Sequence, residues 1–254
     1  MTISKVNNAS AALNKMMLSV LSMLSVLSML SILLLALALP IFSTLIVFIS
    51  GLGSIFLDDV HTIEQLSMNL GFNFTTSIVS VFLMLPLLQY YLSAKNKENI
   101  VNRLALKSIT LTRLIMTLLA VLTFSLFEYF IFRLGIFETP SFMLDFLESI
   151  DTGLEITLLI LTVGIVGPFF EEIIFRGIAF YKLEQISLNP TFIILITSLA
   201  FTLIHSQYEQ IEVFILLFLS SCLLGLIRYV SGNLWYCIFG HMVMNIIVVA
   251  ENFL

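Results

Sequence analysis

The chain has 254 residues, of which 59% are hydrophobic and 11% charged; its net charge is −5 and its mean hydropathy is +1.10. A soluble globular domain is about 45–50% apolar and about 25% charged, so this composition excludes a soluble protein. The basic residues form no patch, which excludes nucleic-acid binding. Continuous apolar runs of about 20 residues favour spanning helices over barrel strands. The sequence therefore predicts an all-α, polytopic membrane protein.

The apolar runs predict seven membrane-spanning helices in two groups. Three lie in the N-terminal region 1–150, one within 17–49 and the others at 72–93 and 109–134. Four lie in the region 151–254, at 156–183, 191–206, 211–229 and 234–250. The first run is longer than one crossing needs, and Pro40 can kink it. An eighth, short segment there is the alternative, and we expect the run to act as an uncleaved anchor.

The distribution of charge predicts the orientation. Basic residues precede the first span and follow the second, fourth and sixth: Lys5, Lys15, Lys95, Lys97, Arg103, Lys107, Lys182 and Arg228. The remaining connections are mainly acidic. Because lysine and arginine concentrate in cytoplasmic loops, we expect a cytoplasmic N-terminus and an external C-terminus, in a bacterial cell membrane.

The fourth predicted span carries Glu171, Glu172 and Arg176 within an apolar stretch. A charged side chain at the bilayer centre costs about 2.5–3.5 kcal/mol on insertion scales, so such residues indicate a functional site. Glu172 and Arg176 are four residues apart and can pair. Glu171 points about 100° away around the helix axis, which leaves its carboxylate free for chemistry.

Three further polar residues lie on later spans. His205 is near the end of the fifth, and His241 and Asn245 share one face of the seventh. At 1.5 Å per residue, all of these groups can meet Glu171 at one depth in the membrane. By contrast, Arg113, Glu128 and Arg228 lie toward span ends, and we interpret them as structural or interfacial residues.

A carboxylate and an imidazole around one water form a hydrolytic site. Glu171 can take a proton from water, His205 can orient that water or share the proton, and His241 and Asn245 can donate hydrogen bonds to an oxyanion. In the alternative, Glu171, His205 and His241 bind a divalent metal such as zinc. No HExxH pattern supports the metal, so the sequence favours metal-free glutamate chemistry.

These motifs together resemble those of the CPBP intramembrane proteases, which include the CAAX prenyl endopeptidases and the Abi and bacteriocin-immunity proteins. The resemblance rests on Glu171-Glu172-x-x-x-Arg176, Phe201-x-x-x-His205 and His241-x-x-x-Asn245. It covers about the last 100 residues and implies a four-span catalytic core. It also implies that Glu171 activates water beside His205, that His241 and Asn245 form the oxyanion hole, and that Glu172 and Arg176 support the site.

The expected substrate is a hydrophobic or membrane-bound peptide or protein, with lipid as the other partner. The chain looks bacterial, where prenylated CAAX substrates are not expected; bacterial relatives are associated with bacteriocin self-immunity, peptide processing and signalling. Two rival hypotheses remain. A non-catalytic immunity or scaffold protein would act by binding alone, and a transporter would use the carboxylates and histidines as a proton relay.

Overall fold

A computed structural model of the chain describes residues 70–92, 100–148, 150–205, 208 and 210–253, with scattered positions between 27 and 50. The described part is helical and contains no strand. The predicted first span, 17–49, falls largely outside it.

Eight helices make up the continuous described segments. They are α1 (Leu70–Leu92), α2 (Ile100–Arg103), α3 (Leu111–Arg133), α4 (Ser141–Glu148), α5 (Gly153–Gln185), α6 (Pro190–Ile204), α7 (Ile211–Ser231) and α8 (Leu234–Phe253). The sequence predicts all of them except the two short ones, α2 and α4.

Four of these helices, α3, α5, α7 and α8, are long and apolar enough to cross a bilayer. The shorter apolar helices are α6, with 15 residues, and the segment Phe74–Tyr90 of α1. At 1.5 Å per residue α6 is about 22 Å long, less than the roughly 30 Å hydrocarbon core. The all-helical membrane architecture predicted from composition is confirmed, and α6 is shorter than a full crossing.

Local sequence explains where the helices begin and end. The Thr152 side chain accepts from the Glu155 amide while Glu155 reaches back, which forms a capping box at the start of α5. Asn189 caps α6, with Pro190 at its first position. α7 ends at Gly232, whose φ of +59° is the left-handed conformation that glycine adopts without strain.

The long helix α5 is not uniformly α-helical. Two π-helical turns, Ile160–Val166 and Ile173–Ala179, flank a short α-helical segment, Gly167–Glu172. A π-turn adds a residue to one turn of the helix and changes which side chains face each neighbour. The short segment between the π-turns carries both glutamates of the predicted site.

Helix α8 lies at the centre of the bundle and contacts α3, α5 and α7. It approaches α3 closely at Gly240, where an added Cβ would lie 3.1 Å from Val121 and 3.3 Å from Thr117. At the beginning of both helices, the Thr110 amide donates to the Tyr236 hydroxyl at 2.7 Å. These contacts follow the same order along both helices and show that α3 and α8 run parallel. His241 is the next residue after Gly240 and is buried within the bundle.

Candidate active site

Glu171 and Glu172 end the short α-helical segment between the two π-turns. The Glu172 side chain is fully buried, whereas that of Glu171 is 22% exposed and lines a cavity. Gly167 precedes Glu171 by one turn, and a Cβ at Gly167 would lie 3.8 Å from Oε1 of Glu171. The two adjacent carboxylates therefore have different surroundings, one in the protein interior and one at the cavity wall.

The Glu172 carboxylate joins α5 to α8. Its Oε1 accepts a hydrogen bond from Nη1 of Arg176 at 2.8 Å and lies 2.9 Å from Nδ1 of His241. The predicted pair four residues apart is present, and the same oxygen also holds the histidine. Charge-assisted bonds of this length are among the stronger hydrogen bonds in proteins, so Glu172 fixes the position of the His241 ring.

Arg176 is also fully buried and holds α7 in place. Its Nη2 donates to the carbonyl oxygen and to Oγ of Ser221, at 2.7 and 2.6 Å. The guanidinium carbon lies 5.2 Å from the centroid of the Phe201 ring on α6, within the range of a cation–π interaction. Sequence reasoning missed Ser221, whose only signal is a serine pair inside an apolar span.

The contacts of His241 determine which ring nitrogen carries a proton. Because a carboxylate accepts, Nδ1 of His241 carries the proton that is donated to Glu172. The other nitrogen, Nε2, lies 3.8 Å from Oε2 of Glu171. That separation is too long for a direct hydrogen bond and leaves Nε2 available to a group in the cavity.

His205 lies immediately after the end of α6. Its Nδ1 is 2.8 Å from the carbonyl oxygen of Phe201, one of the carbonyls that a helix end leaves without a partner within the helix. A carbonyl oxygen only accepts, so Nδ1 donates and Nε2 is the nitrogen left for other contacts. The imidazole thus caps the helix and contributes to the cavity wall at the same time.

Asn245 follows His241 by one turn of α8. Its Nδ2 donates to the carbonyl oxygen of Val163 at 2.8 Å, and Val163 belongs to the first π-turn of α5. An amide nitrogen has two hydrogens, so one N–H fixes the side chain and the second remains a possible donor. The π-turn is therefore connected directly to a residue of the predicted oxyanion hole.

One cavity of about 600 Å³ brings the predicted catalytic residues together: Glu171, His205, His241 and Asn245 all line it. Its volume falls in the range of sites that bind small ligands or peptide segments. Glu172 and Arg176 lie behind this wall. Helix depth predicts that all six residues share one cavity, and the structure places four of them there.

Two ionisable residues of the cavity wall were not predicted as part of the site, Tyr208 and Glu128. Burial, and secondly the negative charge of Glu171, raises the pKa of the Tyr208 hydroxyl above its ordinary value. The phenol therefore stays protonated at neutral pH and can donate a hydrogen bond. Its place after α6, close to His205 in the sequence, was a signal that sequence reasoning left unused.

The alternative metal site consists of Glu171, His205 and His241. Among the residues that the structure describes, no group of three His, Cys, Asp or Glu side chains is arranged to hold a metal ion. The proposed mechanism assigns no step to a metal, and the metal alternative stays a prediction.

Residues 153–247 match the family model described as "Type II CAAX prenyl endopeptidase Rce1-like". The matched segment runs from the first residue of α5 into α8 and includes all six predicted site residues. The C-terminal part of the chain is therefore similar to this family of membrane proteases. The resemblance deduced from the three motifs is confirmed at the level of the family, and an integral membrane location agrees with it.

A curated relative supports the same assignment. The Bacillus subtilis (strain 168) protein named "Putative membrane peptidase YdiL" is 32% identical to this chain over 124 residues. The alignment covers 48% of this chain and 46% of the relative, so the chain spans about half the length of the relative it matches. No solved structure matches the chain.

Proposed function

We propose that the protein is an intramembrane endopeptidase in which Glu171 activates water against a peptide bond. The observation that carries the proposal is one cavity lined by Glu171, His205, His241 and Asn245. A general base must come within hydrogen-bond reach of the proton that it removes, directly or through one water. Of the two adjacent glutamates on α5, Glu171 is the one whose carboxylate is partly exposed and lines the cavity, so a water bound there can come within its reach.

In the first step Glu171 takes one proton from water while the water oxygen bonds to the carbonyl carbon of the substrate. The Nδ1 contact with the Phe201 carbonyl oxygen holds the His205 ring, and in this proposal its Nε2 orients the attacking water. When the carbon–nitrogen bond breaks, the proton held by Glu171 passes to the leaving amine. The products are a carboxylic acid and an amine, and Glu171 returns to its ionised state.

The negative charge that develops on the carbonyl oxygen needs hydrogen-bond donors fixed in advance. Asn245 supplies the second N–H of Nδ2, since its first is bound to Val163. His241 donates from Nε2 once this nitrogen carries a proton, and the carboxylates of Glu171 and Glu172 flank the resulting imidazolium. Both donors come from one face of α8, which gives the oxyanion hole a rigid support.

The proposed substrate is a hydrophobic or membrane-bound peptide or protein. The cavity is walled mainly by apolar side chains and lies among helices long enough to span a bilayer, so an apolar segment can enter with little desolvation cost. Processing of a peptide, or self-immunity to a bacteriocin, is the proposed biological role. A binding-only immunity protein would need the cavity but not the basicity of Glu171.

The direct test uses full-length protein in nanodiscs and a set of quenched-fluorescent hydrophobic peptides. Glu171→Gln should lower turnover by about 10²–10⁴-fold, the contribution of a general base, with an unchanged unfolding temperature. Glu148→Gln, at an exposed position on α4, is the matched control and should behave as wild type. Equal turnover in the Glu171 variant and wild type would refute the mechanism.

A second experiment separates the metal-free mechanism from a metal-dependent one. Activity of the purified protein should survive prolonged dialysis against EDTA and 1,10-phenanthroline, because no step needs a metal. A loss of activity on dialysis that added zinc restores would replace the glutamate mechanism with a metal-bound water.

A further inference from the structure

Glu128 is a carboxylate inside a membrane-spanning helix that the proposed mechanism does not use. It lies on α3, five residues before the helix ends at Arg133, and its side chain is half-buried and lines the same cavity as Glu171. Within the described part of the chain no hydrogen bond or ion pair reaches it. An ionisable group at such a position is costly unless it has a partner, and the cavity is where a partner can come from.

Helix α8 connects Glu128 to the catalytic end of the cavity. His241, Asn245, Val248 and Asn252 all line the cavity, and their spacings of four, three and four residues form one stripe. Because α3 and α8 run parallel, with Thr117 and Val121 beside Gly240, counting along both helices places Glu128 level with residues 247–251 of α8, between Asn245 and Asn252. From Asn245 to this level the helix rises about 3–9 Å.

The charge of the cavity wall indicates what binds there. Among the described residues that line the cavity, the ionisable ones are Glu128, Glu171, His205, Tyr208 and His241, and none is a lysine or arginine. A low-dielectric cavity with carboxylates and no fixed cation attracts positive charge. The end of the cavity at Glu128 thus favours a cationic group and disfavours a carboxylate.

We propose that Glu128 is a specificity residue that binds a cationic group of the substrate, about one to three residues from the bond that is cleaved. The distance follows from the rise of about 3–9 Å, which an extended peptide covers at about 3.3 Å per residue. The group is a lysine or arginine side chain or the free amino terminus, since these share the ammonium or guanidinium chemistry that a carboxylate recognises. The inference rests on the proposed protease function and adds its substrate class.

The test compares peptides that differ in one charge. A series of quenched-fluorescent hydrophobic peptides carries lysine, glutamine or glutamate at each position from one to five residues on either side of the cleaved bond. Each is made with a free and with an acetylated amino terminus, which distinguishes a side chain from the terminus. The full-length protein in nanodiscs is assayed as wild type, Glu128→Gln and Glu148→Gln, the last being the exposed carboxylate on α4 that does not line the cavity.

Wild type should cleave the best cationic peptide with a kcat/KM roughly tenfold or more above its neutral partner, as one charge-assisted contact allows. In Glu128→Gln this ratio should fall close to one, while Glu148→Gln should keep it. An equal ratio in wild type and Glu128→Gln would overturn the proposal, as would a wild type without preference for the cationic peptide.

A separate binding measurement makes the test independent of turnover. Fluorescence anisotropy measures the same peptides on Glu171→Gln, with and without the additional Glu128→Gln change. Tighter binding of the cationic peptide that disappears in the double variant supports the cation site even if no peptide is cleaved, in which case only the proposed protease function fails. Equal binding of cationic and neutral peptides to Glu171→Gln would refute the site whatever the turnover.

Discussion

The two sides of α5 around residue 171 differ in how directly their charged side chains are bonded to other helices. On the buried side, Glu172 and Arg176 are bonded to His241 and Ser221, on α8 and α7. On the cavity side, Glu171 approaches His241 only to 3.8 Å, which is too long for a hydrogen bond. The two sides therefore have different roles. The buried pair, Glu172 and Arg176, fixes the positions of the helices, and the Glu171 carboxylate remains free to transfer a proton.

Arg176→Ala tests the buried side and should have the largest effect on stability and activity. Removing one partner of a buried ion pair leaves the Glu172 carboxylate buried with only its contact to His241, and the loss of such a partner costs about 3–5 kcal/mol. Thermal unfolding in nanodiscs should show a large loss of stability together with lost activity. A variant that keeps wild-type stability would show that the buried side does not hold α5 and α7 together.

Asn245→Ala tests the donor on the cavity side. Loss of one oxyanion donor lowers kcat by about 10²–10³-fold, or about 2.7–4 kcal/mol, while the side chain gives up a single neutral hydrogen bond to Val163. Turnover should therefore fall far more than stability does. If turnover and stability fall in proportion, Asn245 stabilises the packing of α8 on the π-turn and is not an oxyanion donor.

Glu172→Gln keeps the size of the side chain and removes its charge. The amide can still contact Arg176 and His241, but it stabilises a protonated His241 poorly. We expect a 10–100-fold loss of activity, as found for residues that orient catalytic or metal-bound histidines. NMR of ring-labelled histidine should show a changed tautomer or protonation state, and an unchanged spectrum would argue against a positioning role.

Ser221→Ala should have the smallest effect. Arg176 keeps its bond to the Ser221 carbonyl oxygen and loses only the one to Oγ, which costs about 1 kcal/mol. A small decrease in unfolding temperature with near-normal turnover is expected. A loss of turnover without loss of stability would assign Ser221 a closer role in the site than its position behind Glu172 suggests.

The sequence predicts the members of the site because the rules involved are simple. Helix rise is constant, so the depths of Glu171, His205, His241 and Asn245 can be compared from residue counts alone. The pairing of Glu172 with Arg176 follows from their spacing of four residues. The six later long helices are predictable because apolar runs have few alternatives to a helix in a membrane, although α6 is shorter than a full crossing.

The features that the sequence does not predict depend on tertiary contacts. The two π-turns of α5 have no signature in an apolar sequence, and the bond of Asn245 to Val163 exists only with α8 packed against the first of them. In the sequence, Glu128 lies near the end of its span, which favours an interfacial residue. Sequence spacing does not reveal which face of α3 borders a cavity. Ser221 is missed for the same reason.

The central claim is that Glu171 carries out hydrolysis inside the membrane, and the most direct measurement compares membranes from cells that express wild type or Glu171→Gln at matched protein levels. Mass spectrometry would record the new peptide termini in each. The account predicts termini that occur only with wild type and that lie within or next to hydrophobic segments. Identical sets of termini in the two membranes would contradict it and would favour a protein that acts by binding alone.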